Sequence, residues 1–207
     1  MKKSNIDPHP KTPTLVGVTG GIGVGKSFCA AIFQWLGVPI YNSDIEAKKI
    51  MVEDAEVKEG IIKLCGKNSY TSSGQLNREH IASIVFADNL KLAQINAIVH
   101  PAVGSHFRKW SSEQVNASYV MQESALIFET GSYKSFDQVV VVDAPLEVRI
   151  LRTTSKDNIS REQVEARISK QFDQTEKVKL ADFVIHNDGV QMIIPQILRV
   201  HSELMSQ

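Results

Sequence analysis

The residues Gly20-Gly21-Ile22-Gly23-Val24-Gly25-Lys26-Ser27 satisfy the pattern G-x-x-x-x-G-K-[ST] at every fixed position. The chemistry of that spacing is phosphate binding. Gly21, Gly23 and Gly25 let the backbone approach an anion, and the N–H groups along the loop, those of Ile22, Val24 and Phe28 included, favour negative charge. Lys26 is placed to reach the β- and γ-phosphates of a nucleoside triphosphate, and Ser27 to bind Mg²⁺ through its hydroxyl.

Other residues bring further chemistry. Asp44 follows a short apolar stretch, where a carboxylate could take the proton of an attacking hydroxyl and help place Mg²⁺; it also suits the first turn of a helix on dipole grounds alone. Glu123 follows another apolar stretch and resembles a degenerate Walker-B carboxylate holding Mg²⁺ through water. Glu129 reads as one of many surface glutamates. Arg149, Arg152 and Lys156 recur at i, i+3 and i+7 and share one helix face; Arg161, Arg167 and Lys170 follow. Such cations could neutralise charge on a moving phosphoryl group, and at least one of Arg149, Arg152 and Arg167 is expected to touch ATP, with Arg149 taken as nucleotide-binding and Arg152 as catalytic. Their bland alternative is a solvated face paired with Glu147, Glu162 and Glu165. His100, before Pro101, suits a structural hydrogen bond. His9, His80, His106, His186 and His201 lack the spacing of metal ligands.

Strands and helices must alternate to position these groups. Leu15–Thr19 reads as a buried strand and Ser27–Leu36 as the helix behind the loop. Val38–Tyr41, Tyr119–Met121, Val139–Val142 and Asp182–His186 read as four more strands, the unbroken valines being typical of a parallel sheet interior. Ser43-x-x-Glu46 looks like a capping box opening a helix to about Met51. Helices are expected at about 78–87 and 88–110, the second broken or kinked by Pro101, and at about 190–205. The expected fold is α/β: a doubly wound, five-stranded parallel sheet. The mostly helical stretch from about 44 to 115 is too long for a simple crossover. The stretch 146–178 reads as a cation-rich helix–turn–helix, with Ser160-x-x-Gln163 as a cap, and suggests a lid over triphosphate.

The 207 residues suit one compact domain with insertions, and 23 basic residues balance 23 acidic ones, which argues against a dedicated nucleic-acid or membrane binder. Residues 1–14 are polar and read as a disordered lead-in without a signal-peptide core. Two cysteines, Cys29 and Cys65, suggest neither a metal cage nor a disulfide framework, so the expected setting is cytoplasmic, with Cys29 in the core.

Six segments in order resemble the dephospho-CoA kinases: Val18–Ser27, Leu36–Asp44, Asn96-Ala97-Ile98-Val99-His100-Pro101, Ala125-Leu126-Ile127-Phe128-Glu129, Arg167–Gln171 and Ala181–Gly189. The resemblance implies a phosphate-loop NTPase-type fold and transfer of the γ-phosphoryl of Mg²⁺-ATP to the ribose 3′-hydroxyl of dephospho-CoA. It makes Asp44 the base. Asp44, His100 and Glu123 are the expected substrate-side residues, and a monomer or small homo-oligomer is expected. The core would be 15–43, 116–145 and 180–207, the helical acceptor domain 44–115 and the lid 146–178. The chain departs from the family pattern at Asn42, where an amide replaces an acid, and at Val24, Phe28 and Ala125. Lys156 stands where the lid usually has Arg, keeping the charge without the bidentate fork. Phosphate loops do not specify acceptors, so a nucleoside monophosphate or sugar-acid kinase is the alternative. A regulatory GTPase would need N-K-x-D and D-x-x-G, which the sequence lacks.

Overall fold

Alternating apolar residues send side chains to opposite faces of each strand, and here both faces are covered. The computed structural model of the protein describes residues 12–206. Five strands, β1 (Thr14–Thr19), β2 (Ile40–Asn42), β3 (Tyr119–Glu123), β4 (Gln138–Asp143) and β5 (Phe183–His186), form one parallel sheet in the order β2-β3-β1-β4-β5. On one face Val16, Val18, Tyr119, Met121, Val140, Val142 and Ile185 pack with α1 (Lys26–Trp35) and α9 (Ile193–Met205). On the other, Val139 and Val141 meet Phe128, Phe136 and Val178. A Cβ on Gly17 would stand 2.9 Å from the Ile127 methyl, so glycine is what lets this covering lie close to β1. Cys29 is fully buried in the first cluster, and burial pushes its thiol up to about 12; it packs and does not titrate near neutrality.

The chain leaves β1 toward β2 on one side and leaves β4 toward β5 on the other. Ligands bind outside the carboxyl ends of strands at such a reversal, and the Gly-rich loop sits there, between β1 and α1.

The backbone separates into two compact units, one formed by the chain up to Tyr41 and from Ser111 onward, the other by Asn42–Trp110. The second contains α2 (Ser43–Glu53), α3 (Ala55–Cys65), a 3-10 turn at Lys67–Ser69, α4 (Arg78–Ala87) and most of α5 (Asn89–Ser112). Its core includes two stripes of buried residues at i, i+4 spacing: Val57, Ile61 and Cys65 on α3, and Ile95, Val99, Val103 and Phe107 on α5. Gly60 lets these stripes approach, since a Cβ there would lie 3.2 Å from Ile98. In the first unit, α6 (Leu146–Asp157), α7 (Arg161–Ile168) and α8 (Gln174–Lys179) link β4 to β5.

Several expectations need correction. Residues 1–11 of the expected lead-in lie outside the described residues, while Thr14 already opens β1. Val38 is not in β2: its N–H bonds the Phe33 carbonyl at 3.1 Å, across Gly37 at φ 88°, closing α1 with a Schellman-type turn. The cap of α2 is Asn42, whose side-chain oxygen accepts from the Ile45 N–H at 3.0 Å; Ser43 is the first helical residue and is buried. Helix α5 runs unbroken through Pro101. Pro101 is exposed and forfeits only its own N–H, while Val99 and Val103 on either side stay buried. The terminal helix begins at Ile193 because Asp188 first takes the N–H groups of Val190 and Gln191, both at 2.8 Å. The stretch after β4 has a third helix, α8, beyond the expected helix–turn–helix; the capping box at Ser160 and Gln163 is present.

Candidate active site

Gly25, at φ 87°, ends the loop in a left-handed conformation and acts as the N-cap of α1 without any side-chain cap. The first turn of α1 carries no acid. Among the described residues, the N–H groups of Gly23, Gly25, Lys26 and Ser27 have no protein acceptor. Free donors in a loop and the helix N-terminus behind it, beside a lysine, are what an anion site uses.

Glu123 completes the cluster. It ends β3, paired in register with Val18 of β1, and is only 5 % exposed. Its Oε1 accepts from Lys26 Nζ at 3.1 Å and from Ser27 Oγ at 2.5 Å. The weak acid-after-a-strand signal thus becomes a definite geometry, because β3 lies beside β1 and brings residue 123 to the loop. A hydroxyl and a carboxylate oxygen are hard donors of the kind Mg²⁺ takes when phosphates and waters complete its shell, so the residues present fit that ion. Among the described residues there is no group of three His, Cys, Asp or Glu of the kind that cages a metal by itself. Beside the loop, the Thr19 hydroxyl is buried and without a partner among the described residues.

The cations of α6 separate. Arg149 is buried and donates from Nε to the Ile22 carbonyl at 3.0 Å, and burial lowers its proton affinity. Arg152 reaches the Asn187 carbonyl at 2.9 Å and its side-chain oxygen at 3.4 Å, while Asn187 Nδ2 donates to the Val24 carbonyl at 2.8 Å. Lys156 is exposed, and Phe28 is exposed beside Ser27. Arg167 pairs with Asp157 at 2.8 Å, and Arg161 with Glu147 and Glu165, each at 2.7 Å.

The first unit therefore brings together Lys26, Ser27, Glu123, Arg149 and the loop, with Arg152 one contact removed through Asn187. Asp44 and His100 belong to the second unit. Asp44 is exposed in the first turn of α2; His100 is half-buried on α5, where burial lowers its pKa. Glu129 is not the solvated surface acid expected. Its Oε1 holds Lys177 Nζ at 2.7 Å and the Phe172 N–H at 2.9 Å, and Lys177 is fully buried. Sequence reasoning missed Gln171, Gln174 and Asn187 as loop contacts, since single amides at or beyond the ends of elements carry no periodic signal.

The chain matches the model of the dephospho-CoA kinase family over residues 14–192. It is 41 % identical to a dephospho-CoA kinase of Bacteroides fragilis over 185 residues, covering 89 % of this chain and 90 % of that one. The chain belongs to the dephospho-CoA kinase family. Another such kinase, from Chlorobium chlorochromatii, is 36 % identical over 204 residues, 95 % of this chain and 96 % of its own. Among solved structures, dephospho-CoA kinase from Campylobacter jejuni superposes with a TM-score of 0.69 at 27 % identity, covering 93 % of this chain and 97 % of that one. The protein TT1252 from Thermus thermophilus superposes with a TM-score of 0.79 at 31 % identity, covering 95 % and 98 %. In this family member, no described helix is long and apolar enough to cross a membrane.

Proposed function

We propose that this dephospho-CoA kinase family member binds the triphosphate of Mg²⁺-ATP on the loop Gly21–Phe28 and delivers the γ-phosphoryl to the ribose 3′-hydroxyl of dephospho-CoA through Asp44. The protein is a kinase that phosphorylates dephospho-CoA in coenzyme A biosynthesis. The observation supporting the site is the set of four loop N–H groups without a protein acceptor among the described residues, set against Lys26 and Glu123.

In this reading Lys26 exchanges Glu123 for the β- and γ-phosphates, and the N–H groups of Gly23, Gly25, Lys26 and Ser27 take phosphate oxygens. Ser27 and Glu123 would hold Mg²⁺, directly or through water, which supplies charge neutralisation of the phosphates when bound. Asp44 accepts the proton of the 3′-hydroxyl. The 3′-oxygen bonds to the γ-phosphorus, the bond from that phosphorus to the bridging oxygen breaks, and ADP keeps the electron pair. Arg149 and Arg152 hold the loop and its flank in the charge field of the transfer; His100 is assigned to the acceptor side. We assign Asn42–Trp110 to acceptor binding and 146–178 to the lid, and place the reaction in the cytoplasm, without nucleic acid or membrane as partner. Support for Asp44 comes from its position just past the carboxyl end of β2, in the first turn of a helix.

The test is ADP release with dephospho-CoA, adenosine, nucleoside monophosphates and gluconate compared at equal concentration. Dephospho-CoA should give the highest kcat/KM. A monophosphate or gluconate turned over as well would overturn the acceptor assignment.

A further inference from the structure

We propose that Gln171 and Gln174 are positioning residues for the phosphate loop, fixing its leading half so that its trailing half can receive phosphate. The inference rests on the reading that ATP phosphates occupy this loop.

The loop's donors divide in two, apart from the Val24 N–H, which turns back to the Gly21 carbonyl at 3.4 Å. The Gly21 N–H donates to Gln174 Oε1 at 2.9 Å and the Ile22 N–H to Gln171 Oε1 at 2.8 Å. The following donors at Gly23, Gly25, Lys26 and Ser27 have no protein acceptor among the described residues. The leading half is thus satisfied by side chains 153 and 149 residues later in the chain, and the trailing half is left for an anion.

Chemistry defines how Gln174 is oriented. Gly21 N–H can only donate, and the Val142 carbonyl, 3.1 Å from Gln174 Nε2, can only accept. Nε2 also donates to Asp143 Oδ1 at 3.0 Å, so the amide is fixed to the end of β4 while its oxygen faces the loop. Arg149 Nε on the Ile22 carbonyl closes the clamp, and a Cβ on Gly21 would strike the Arg149 guanidinium.

The segment carrying both glutamines is itself anchored. Glu129 Oε1 holds the Phe172 N–H between the two glutamines and Lys177 one turn beyond them, and the lysine is 0 % exposed. A charge so buried is held in place by the loss that breaking its pair would bring. The segment returning to β5 therefore acts as a strut from the β3–β4 connection to the loop. Neither glutamine needs to touch ATP; each acts through the backbone it holds.

Gln171→Met and Gln174→Met keep side-chain length and remove the acceptor. A misplacement of about 1 Å can cost on the order of a hundredfold in a positioned reaction; loss of one of two struts should raise KM for ATP about tenfold, leaving KM for dephospho-CoA within about twofold. In the nucleotide-free protein, amide exchange at Ile22 in Gln171→Met and at Gly21 in Gln174→Met should accelerate by at least about tenfold. Gln171→Glu, which keeps an acceptor, should retain slow exchange at Ile22. Unchanged KM for ATP, or unchanged exchange, in Gln171→Met overturns the proposal, and this variant suffices if Gln174→Met fails to fold. The site reading is checked separately: ATP added to the wild type should protect the amides of Gly23, Gly25, Lys26 and Ser27. If it does not, that reading fails, while exchange at Gly21 and Ile22 still tests the strut.

Discussion

Lys26 and Asp44 do different work in the proposed reaction, and their variants should separate accordingly. Lys26→Ala removes an ammonium aimed at charge that grows in the transition state, so kcat/KM for ATP should fall about a hundredfold or more. It also takes the ammonium away from the buried Glu123 carboxylate. Asp44→Asn removes only the proton acceptor. Turnover should fall by on the order of a hundredfold to ten-thousandfold, with ATP affinity within about twofold; steady-state kinetics beside nucleotide titration would show it. Retained turnover in this variant would remove Asp44 from the base role. Much at this scale was legible in the chain. Lys26 and Ser27 are marked by fixed spacing, and Glu123 by an acid at a strand end. Glu129 was misjudged because nothing near it in sequence announces Lys177, 48 residues on.

At the level of elements, the strands were legible because both faces of the sheet are apolar and the valine runs show it. Their ends were not, because each depends on local competition for backbone donors, as at Val38 and Asp188. The α2 terminus is the sharpest case. Asn42 and Ser43 are both good caps in isolation, and burial of Ser43 leaves the role to Asn42. Asn42→Ala should therefore cost about 1 kcal/mol in unfolding free energy, while Asn42→Asp, retaining the oxygen, should cost little. Denaturant unfolding of the two variants side by side decides between the caps. An equal loss in Ser43→Ala, with none in Asn42→Ala, would return the cap to Ser43. The departure from the family's acid at this position thus leaves helix initiation intact.

For the molecule as a whole, two compact units mean that unfolding need not be a single event. Each unit has its own reporter: Trp35 in the first and Trp110 in the second. In a Trp35→Phe background, Trp110 follows the second unit, which contains His100. Burial lowers the His100 pKa below its unfolded value, so below about 6.5 the unfolded state binds more protons than the folded one. Its contribution is therefore present above that pH and lost as pH falls toward the folded value. The unfolding midpoint reported by Trp110 should drop as pH falls below about 6.5, and His100→Gln should flatten that drop. An identical slope in the variant would assign the acid sensitivity elsewhere. The order β2-β3-β1-β4-β5 was not written in any periodicity; it emerges from which strand the long connections allow beside β1.

The buried Lys177 also gives the molecule a chemical clock. An amine-directed acylating reagent needs a solvated, momentarily neutral amine, and this one meets no solvent while Glu129 holds it. Its acylation would be recorded only when the segment carrying it lifts. Exposed lysines such as Lys179, two residues away, supply the uninterrupted reference rate. The ratio of the two modification rates, read by peptide mass spectrometry with and without nucleotide, would measure how often the segment between β4 and β5 opens, with no residue replaced.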